Sequence, residues 1–237
     1  MNLDPPKPIR VLFDEWHSES WSCSRDRARE MSPEDPIGSS YQRAADALAV
    51  RDFQIERNTH GPLTTDRLAG VGLLILPHPC DPRWERTTSR HSPALSPEEI
   101  EAVHDWVRAG GGLLLITEYE HEKYGDSFDE LLRPAGLRIE NGKIFDRSAC
   151  VHGNPEWFLA SPVMETPLGH RASTAAFYRA GWCAAEGEAQ LPWRSSAEAF
   201  PANAGVVGTA TMGRGRVAVV TDSVLFGDER FGEYDHA

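Results

Sequence analysis

Acidic and histidine side chains follow four separate apolar runs of this 237-residue chain, and they are the residues best suited to chemistry. If the runs are parallel strands, their carboxyl ends meet at one edge of a sheet, where such sheets bind ligands. Histidine with carboxylates can hold a divalent metal ion or act as a general acid–base pair. The alternative is that polar residues end strands only because strands meet water there. The candidates are Asp14, His17, His78, Glu118, His121, Asp222 and Ser223.

Three of these residues, Glu118, His121 and His17, are the candidate catalytic groups. Imidazole titrates near neutral pH, so the two histidines would carry protons or bind a metal. No spacing among the candidates is diagnostic of one metal, and a divalent ion is the only cofactor that the sequence suggests. The candidate metal ligands are Asp14, His17, His78, Glu118 and His121.

Arginine and tryptophan cluster in two polar stretches, 18–38 and 79–95, beside the same strand ends. On a chain of net charge −12, these clusters reverse the charge locally. Guanidinium and indole groups suit a small polar or anionic ligand, bound by stacking and paired hydrogen bonds. The alternative is that the arginines only pair with neighbouring surface acids. The predicted ligand-binding residues are Asp14, Trp21, His78, Arg83, Trp84, Asp222 and Ser223.

Charge and composition exclude several classes of function. The chain has 36 acidic and 24 basic residues, a balance that argues against binding nucleic acid or anionic membranes. Its N-terminus lacks the apolar core of a signal peptide, and its four cysteines lack the spacing of a zinc site. We therefore expect a cytoplasmic protein with reduced thiols, no membrane contact and no nucleic-acid partner.

Apolar runs alternate with helix caps along the chain. Residues 96–99 (SPEE) and 127–130 (SFDE) are capping boxes that open two helices. A further strand is expected over Ala175–Trp182, and residues 213–215 (GRG) form a hairpin turn before the last strand. The main strands are predicted near residues 10–14, 53–57, 72–77, 113–117 and 217–222.

This order of elements predicts the α/β class. We expect a flavodoxin-like, doubly wound, mostly parallel sheet with helices on both faces and a C-terminal β-hairpin. Between residues 143 and 204 the pattern loosens into short segments, which indicates an irregular insertion. The aromatic residues in that insertion are more typical of a core than of a binding site. Residues 1–237 are expected to form one domain.

Two segments, 110–117 (GGGLLLIT) and 124–139 (YGDSFDELLRPAGLRI), resemble the class I glutamine amidotransferase-like superfamily. Within it, the similarity is to the branch of ThuA-like proteins, GldG-type gliding proteins and the N-terminal domain of an intraflagellar-transport subunit. Residues 213–223 (GRGRVAVVTDS) are similar to that branch's closing hairpin and strand, and 11–15 (VLFDE) also fits. The resemblance covers roughly residues 9–142 and 205–227. Its motifs are structural, so it implies a fold more firmly than a function.

The resemblance does not extend to amidotransferase chemistry. That chemistry needs a cysteine on a strand-to-helix elbow and a histidine to activate it. The elbow should follow the strand at 113–117, where this chain has Glu118 and Tyr119. Thr221, Asp222 and Ser223 stand where the superfamily keeps its late His-x-Glu pair. We therefore expect no amidotransferase activity, and we expect whatever the domain binds to touch Glu118.

Three functions stay open. The first is a non-amidotransferase ligand-binding or assembly domain of this superfamily. The second is a ThuA-like hydrolase or sugar-modifying enzyme that uses the histidine and carboxylate site, with or without a metal. The third is a purely structural domain that binds a protein partner. The chain ends soon after its last predicted strand, so we also expect it to be one domain of a longer protein.

Overall fold

One sheet connects the segments that the structure, a computed structural model, describes: residues 8–18, 21–78, 94–119, 128–164 and 172–232. The helices are α1 Arg25–Met31, α2 Gln42–Ala49, α3 Thr65–Leu68, α4 Pro97–Arg108 and α5 Phe128–Leu132, and short 3₁₀ segments cover Ile37–Ser39, Arg133–Ala135 and Ser223–Phe226. The strands are β1 Ile9–Asp14, β2 Phe53–Asn58, β3 Leu73–Pro77, β4 Gly112–Ile116, β5 Leu137–Glu140, β6 Cys150–Val151, β7 Asn154–Pro162, β8 Ala175–Tyr178, β9 Trp182–Ala185, β10 Gln190–Arg194, β11 Gly205–Met212 and β12 Gly215–Val220.

Strands β2, β1, β3, β4 and β12 lie side by side in that order, and each pair is parallel. β11 returns antiparallel to β12 through a turn in which Gly213 has a φ of 62°. β10, β7 and β6 continue the sheet with antiparallel pairs, while β9 joins β11 to β5. The fold is therefore mixed α/β, with a sheet that is parallel in one half and antiparallel in the other.

Helix residues pack against both faces of the central strands, which explains why β3 and β4 are almost continuously apolar. On one face, Leu76 and Leu115 pack in a core that includes residues of α3, α4 and α5. On the other face, Phe13 and Ile116 pack with Tyr41 and with a residue of α2. Alternate positions of each strand thus enter different cores, and the strands hold their carboxyl ends at one rigid edge.

The predicted capping box at 96–99 is present at the start of α4. The Ser96 hydroxyl accepts a hydrogen bond from the Glu99 N–H at 3.2 Å, and the Glu99 carboxylate accepts one from the Ser96 N–H at 2.9 Å. α5 begins at Phe128, and Gly136, with a φ of 72°, ends the 3₁₀ turn that follows it. No helix in the described segments is long and apolar enough to cross a membrane.

The segment 143–204 is more regular than its sequence suggests, because it contributes β6 to β10 to the sheet. The single strand predicted over Ala175–Trp182 is two strands, β8 and β9, separated by a turn. Arg179 reverses the chain there with a φ of 55°. Phe158 and Phe177 stack at a centroid distance of 6.0 Å in a buried core, as the composition of the segment predicts.

Candidate functional site

The strand-end rim consists of the polar residues at the carboxyl ends of the parallel strands: Asp14, His17, His78, Glu118, Asp222 and Ser223. The structure places all six at the same edge of the sheet. It does not leave them as one open site, however, because they bond within two separate groups. One group surrounds His17, and the other surrounds Glu118.

His17 is held between two carboxylates. Its Nδ1 lies 2.8 Å from Asp14 Oδ2, and its Nε2 lies 3.0 Å from Glu99 Oε1. Burial opposes a positive charge on the imidazole, but the hydrogen bond that the imidazole donates to Asp14 and the charges of both carboxylates outweigh it, so the pKa of His17 is raised. Both ring nitrogens already have protein partners, which is typical of a structural ion group rather than of a free acid–base pair.

The carboxylates of Asp14 and Glu99 accept further hydrogen bonds besides those from the His17 ring. Asp14 is only 1% exposed and accepts hydrogen bonds from the His17 N–H at 3.0 Å and from the Asn58 side-chain amide at 2.6 Å. Glu99 Oε1 also accepts a bond from the Leu63 N–H at 2.8 Å. The group therefore ties the end of β1 to the end of β2 and to the start of α4.

Asn58 and Glu99 contact rim residues, although neither is predicted as a site residue from the sequence. Asn58 ends β2 and would have been found by applying the strand-end rule to that strand as well. Glu99 was recognised only as part of a capping box. Its contact with His17 is tertiary and leaves no trace in local spacing.

Trp21 and His78 form a buried contact beside the group around Glu118. The Trp21 Nε1–H donates a hydrogen bond to His78 Nε2 at 2.9 Å, and Ser18 donates its hydroxyl to the His78 carbonyl at 2.8 Å. Trp21 is 6% exposed and stacks on Tyr41 at a centroid distance of 4.5 Å. The indole face that was predicted to stack on a ligand is therefore covered by Tyr41.

Glu118 has partners on both carboxylate oxygens. Ser223 donates its hydroxyl to Oε2 at 2.6 Å, and the Tyr119 N–H donates to Oε1 at 3.1 Å. The buried Tyr41 hydroxyl donates to the Ser223 carbonyl. Burial, with the charges of Asp222 and Glu118, raises the pKa of Tyr41 well above its ordinary value, so the phenol stays a donor.

Asp222 links β12 to the turn between β8 and β9. It is buried and accepts hydrogen bonds from the Tyr178 N–H at 2.6 Å and the Val224 N–H at 2.9 Å. Burial raises the pKa of Asp222 to about 7, although these N–H groups and the charge of Arg230 act in the opposite direction. Asp222 is thus the rim carboxyl that titrates near neutral pH.

The turn between β8 and β9 covers the ends of β4 and β12. The Gly181 N–H donates a hydrogen bond to the Thr221 carbonyl at 3.0 Å. A Cβ added at Gly181 would lie 3.3 Å from the Glu118 carbonyl and 3.3 Å from Tyr119 Cα. The turn therefore packs against the backbone at the position where the resemblance places a nucleophile, while the Glu118 side chain stays partly exposed.

Three predicted site residues, His121, Arg83 and Trp84, lie outside the described residues. In the segments that the structure does describe, no group of three or more His, Cys, Asp or Glu side chains is arranged to hold a metal ion. The predicted metal set includes His121, so a divalent metal at the rim stays a prediction.

Cys23 and Cys183 are expected to resist alkylation in the native protein. Burial, with the nearby Glu15 charge, raises the pKa of Cys23 to about 12, and burial raises the pKa of Cys183 to about 12. Native alkylation by iodoacetamide at neutral pH should be at least about 100-fold slower than in urea. Mass spectrometry of each cysteine peptide measures this, with the partly exposed Cys150 as the internal control. Rapid native labelling of Cys23 or Cys183 would contradict the prediction.

Comparison with protein families finds one match. The model of a family described as a domain of unknown function, DUF4350, matches residues 86–237. No curated protein matches the chain.

Several solved structures share the fold at low sequence identity. The mmIFT52 N-terminal domain is 16% identical with a TM-score of 0.73, and the match covers 96% of this chain and 92% of that one. Cytoplasmic Protein STM3548 from Salmonella typhimurium is 15% identical with a TM-score of 0.58, covering 95% and 93%. A ThuA-like protein from Bacteroides uniformis is 13% identical with a TM-score of 0.54, covering 98% and 88%. At these identities the matches show the fold alone.

Proposed function

The chain belongs to the DUF4350 family, and from the geometry of its strand-end rim we propose that it is a non-catalytic ligand-binding or assembly domain. We also propose that it has the flavodoxin-like arrangement and belongs to the class I glutamine amidotransferase-like superfamily, in the ThuA-like branch. The strand order β2-β1-β3-β4-β12 and the similarity to a ThuA-like structure support this assignment.

One observation carries the proposal: the turn between β8 and β9 lies on the end of β4. An enzyme of this fold needs an open crevice at that edge so that a substrate can reach its reacting groups. Here the turn packs so closely that a Cβ added at Gly181 would lie 3.3 Å from the Glu118 carbonyl, which leaves little space above the backbone of Glu118 and Tyr119. The rim carboxylates and His17 bond to protein groups, so their role is to fasten the turn and the helix ends to the sheet.

The hydrolase alternative requires Glu118 or His17 to exchange its protein partners for a substrate. Each would have to break at least two hydrogen bonds, and a charge-assisted hydrogen bond contributes about 1.5–3 kcal/mol. No contact in the described segments favours that exchange. We therefore place the ligand or partner away from the rim. A small polar or anionic ligand remains the proposed kind of ligand, and a protein partner is the alternative. A cytoplasmic location is proposed with it.

A double-mutant cycle on Glu118 and Ser223 tests whether their contact is structural. We expect Glu118→Gln and Ser223→Ala each to lower the free energy of unfolding by about 1–2 kcal/mol, because each weakens the same charge-assisted bond. For the same reason, the double variant should lose clearly less than the sum of the two. Urea unfolding measures these differences, and Glu101→Gln on the exposed side of α4 is the matched control.

The enzyme alternative predicts a different outcome of the same experiment. Glu118→Gln would then leave stability unchanged but abolish bound metal, measured by elemental analysis of the purified protein, or abolish a hydrolase activity. Stoichiometric metal that is lost in Glu118→Gln but kept in Glu101→Gln would overturn the non-catalytic proposal.

A further inference from the structure

An apolar cavity of about 400 Å³ lies between α2 and the sheet, and no rim residue lines it. β1, β3 and β4 form its floor, α2 forms one wall, and Phe226 and Phe231 after β12 form another. Protein interiors pack densely and contain few voids larger than a water molecule, whereas ligand pockets measure about 300–1,000 Å³ and are mainly apolar. The size and lining of this cavity are those of a ligand site.

The sequence of α2 explains why the cavity exists. Residues 42–49 (QRAADALA) present Ala44, Ala45 and Ala47 to the sheet, together with one large apolar side chain, Leu48. Larger side chains at the alanine positions would fill the space between helix and strands. The cavity is therefore a consequence of side-chain choice on one short helix, and single substitutions there can close it.

The cavity opens to solvent over the central strands. Leu73 on β3 and Leu114 on β4 line it and are only partly buried, although these strands lie inside the sheet. Partly exposed leucines on central strands mean that α2 alone does not cover this face. An apolar molecule can therefore enter from solvent without unfolding any element.

Arg51 gives the cavity its electrostatic character. It is exposed and is the one charged side chain among the described residues that line the cavity. Its guanidinium donates to the Ala47 carbonyl at 2.6 Å, and no carboxylate of the described segments lies within ion-pair distance. On a chain of net charge −12, such an arginine at an apolar opening favours a ligand with an anionic head group.

We infer that this cavity binds an amphipathic monoanion, an acyl or arylalkyl carboxylate. Its apolar body lies against β1, β3 and β4, and its carboxylate pairs with Arg51. The inference rests on the proposed binding function in that it names the class of ligand. The site is on the face of the sheet, however, and none of its lining residues belongs to the rim.

Titration with dodecanoate, followed by calorimetry, tests the inference on the 237-residue chain. We expect saturable binding of one molecule per chain. Ala44→Leu, which fills the cavity, should weaken binding about tenfold or more, while Ala49→Leu on the exposed side of the same helix should not. Ala47→Leu is a second filling variant, and circular dichroism shows that each variant is folded.

The role of Arg51 is tested with a charged and a neutral probe. Arg51→Gln should weaken dodecanoate binding about tenfold but leave the binding of dodecanol unchanged, because only the carboxylate pairs with the guanidinium. The inference would be overturned if dodecanoate showed no saturable binding, or if Ala44→Leu and Ala47→Leu bound it as tightly as wild type. This face would then be a surface on which a helix of a partner packs. Equal affinity of Arg51→Gln for dodecanoate would overturn the pairing with Arg51.

The inference and the proposed function can fail separately. Glu118→Gln should leave dodecanoate affinity unchanged, since Glu118 does not line the cavity. If dodecanoate does not bind, the proposal of a non-catalytic rim still stands. If Glu118→Gln abolishes a bound metal or a hydrolase activity, the proposal of a ligand in the cavity still stands.

Discussion

Replacing Asp14 by alanine is expected to lower the free energy of unfolding by about 3–5 kcal/mol, the usual effect of removing one partner of a buried ion pair. Asp14 accepts three hydrogen bonds, two from His17 and one from Asn58. Its loss leaves buried donors without an acceptor and leaves the His17 ring with one carboxylate, Glu99. Urea unfolding, monitored by tryptophan fluorescence, measures the change.

Asp26→Ala is the matched control for Asp14→Ala. Asp26 also pairs with a basic residue, Arg29, at 2.8 Å, but its side chain is 88% exposed. Exposed pairs contribute little, so this variant should unfold close to the wild-type midpoint. If Asp14→Ala also unfolded there, the His17 group would be hydrated and available for ligand chemistry, contrary to the structural role assigned here.

The parallel half of the sheet was predictable because local sequence determines it. Residues 73–77 (LLILP) and 112–116 (GLLLI) are too apolar for a solvent-exposed strand and too short for a buried helix. The cap at Ser96 locates the helix between them. Strands joined by helices tend to run parallel in one sheet, which brings Asp14, His78 and Glu118 to one edge. Asp222 reaches that edge only because β12 pairs with β4.

The antiparallel half was not predictable in the same way. The strands of residues 143–204 obtain their order from pairing with strands distant in sequence, such as β10 with β7 and β9 with β5. Their proline and glycine content locally favours loops. The turn at Arg179 was not predicted, because the sequence of Ala175–Trp182 resembles one continuous strand. The tertiary hydrogen bonds of Tyr178 and Gly181 explain where the chain reverses.

Strand ends indicate where polar side chains lie but not their chemistry. They place Asp14, His17 and Glu118 at one edge of the sheet, but spacing cannot show which polar groups bond to one another. The contact of His17 with Glu99 joins residues 82 positions apart (99 minus 17). The closure of the rim by a distant turn likewise depends on tertiary structure. Polar residues at a strand end therefore indicate where a site can lie. The burial and hydrogen-bond partners of those residues determine whether they bind a ligand or stabilise the fold.

Replacing Asp222 by asparagine is expected to flatten the pH dependence of stability between about pH 4 and pH 7. Burial raises the pKa of Asp222 to about 7 in the folded chain, whereas an unperturbed aspartate has a pKa of about 3.9. The folded state therefore binds the proton more tightly, and this contribution to stability is fully present below about pH 4 and is lost as the pH rises through about 7. Asparagine does not titrate, so the variant lacks that loss.

The measurement is urea unfolding of wild type and Asp222→Asn at several pH values from 4 to 8. The difference between the two proteins reports Asp222 together with any group that its charge affects, because groups that do not interact with Asp222 contribute equally to both. His17, whose pKa is also raised, is among them and loses its contribution only above about pH 6.5. We expect wild type to lose a few kcal/mol relative to Asp222→Asn across this range. If the difference in free energy of unfolding between wild type and Asp222→Asn stayed constant with pH, Asp222 would be ionised throughout the range. The N–H groups of Tyr178 and Val224 would then stabilise the carboxylate more than burial destabilises it.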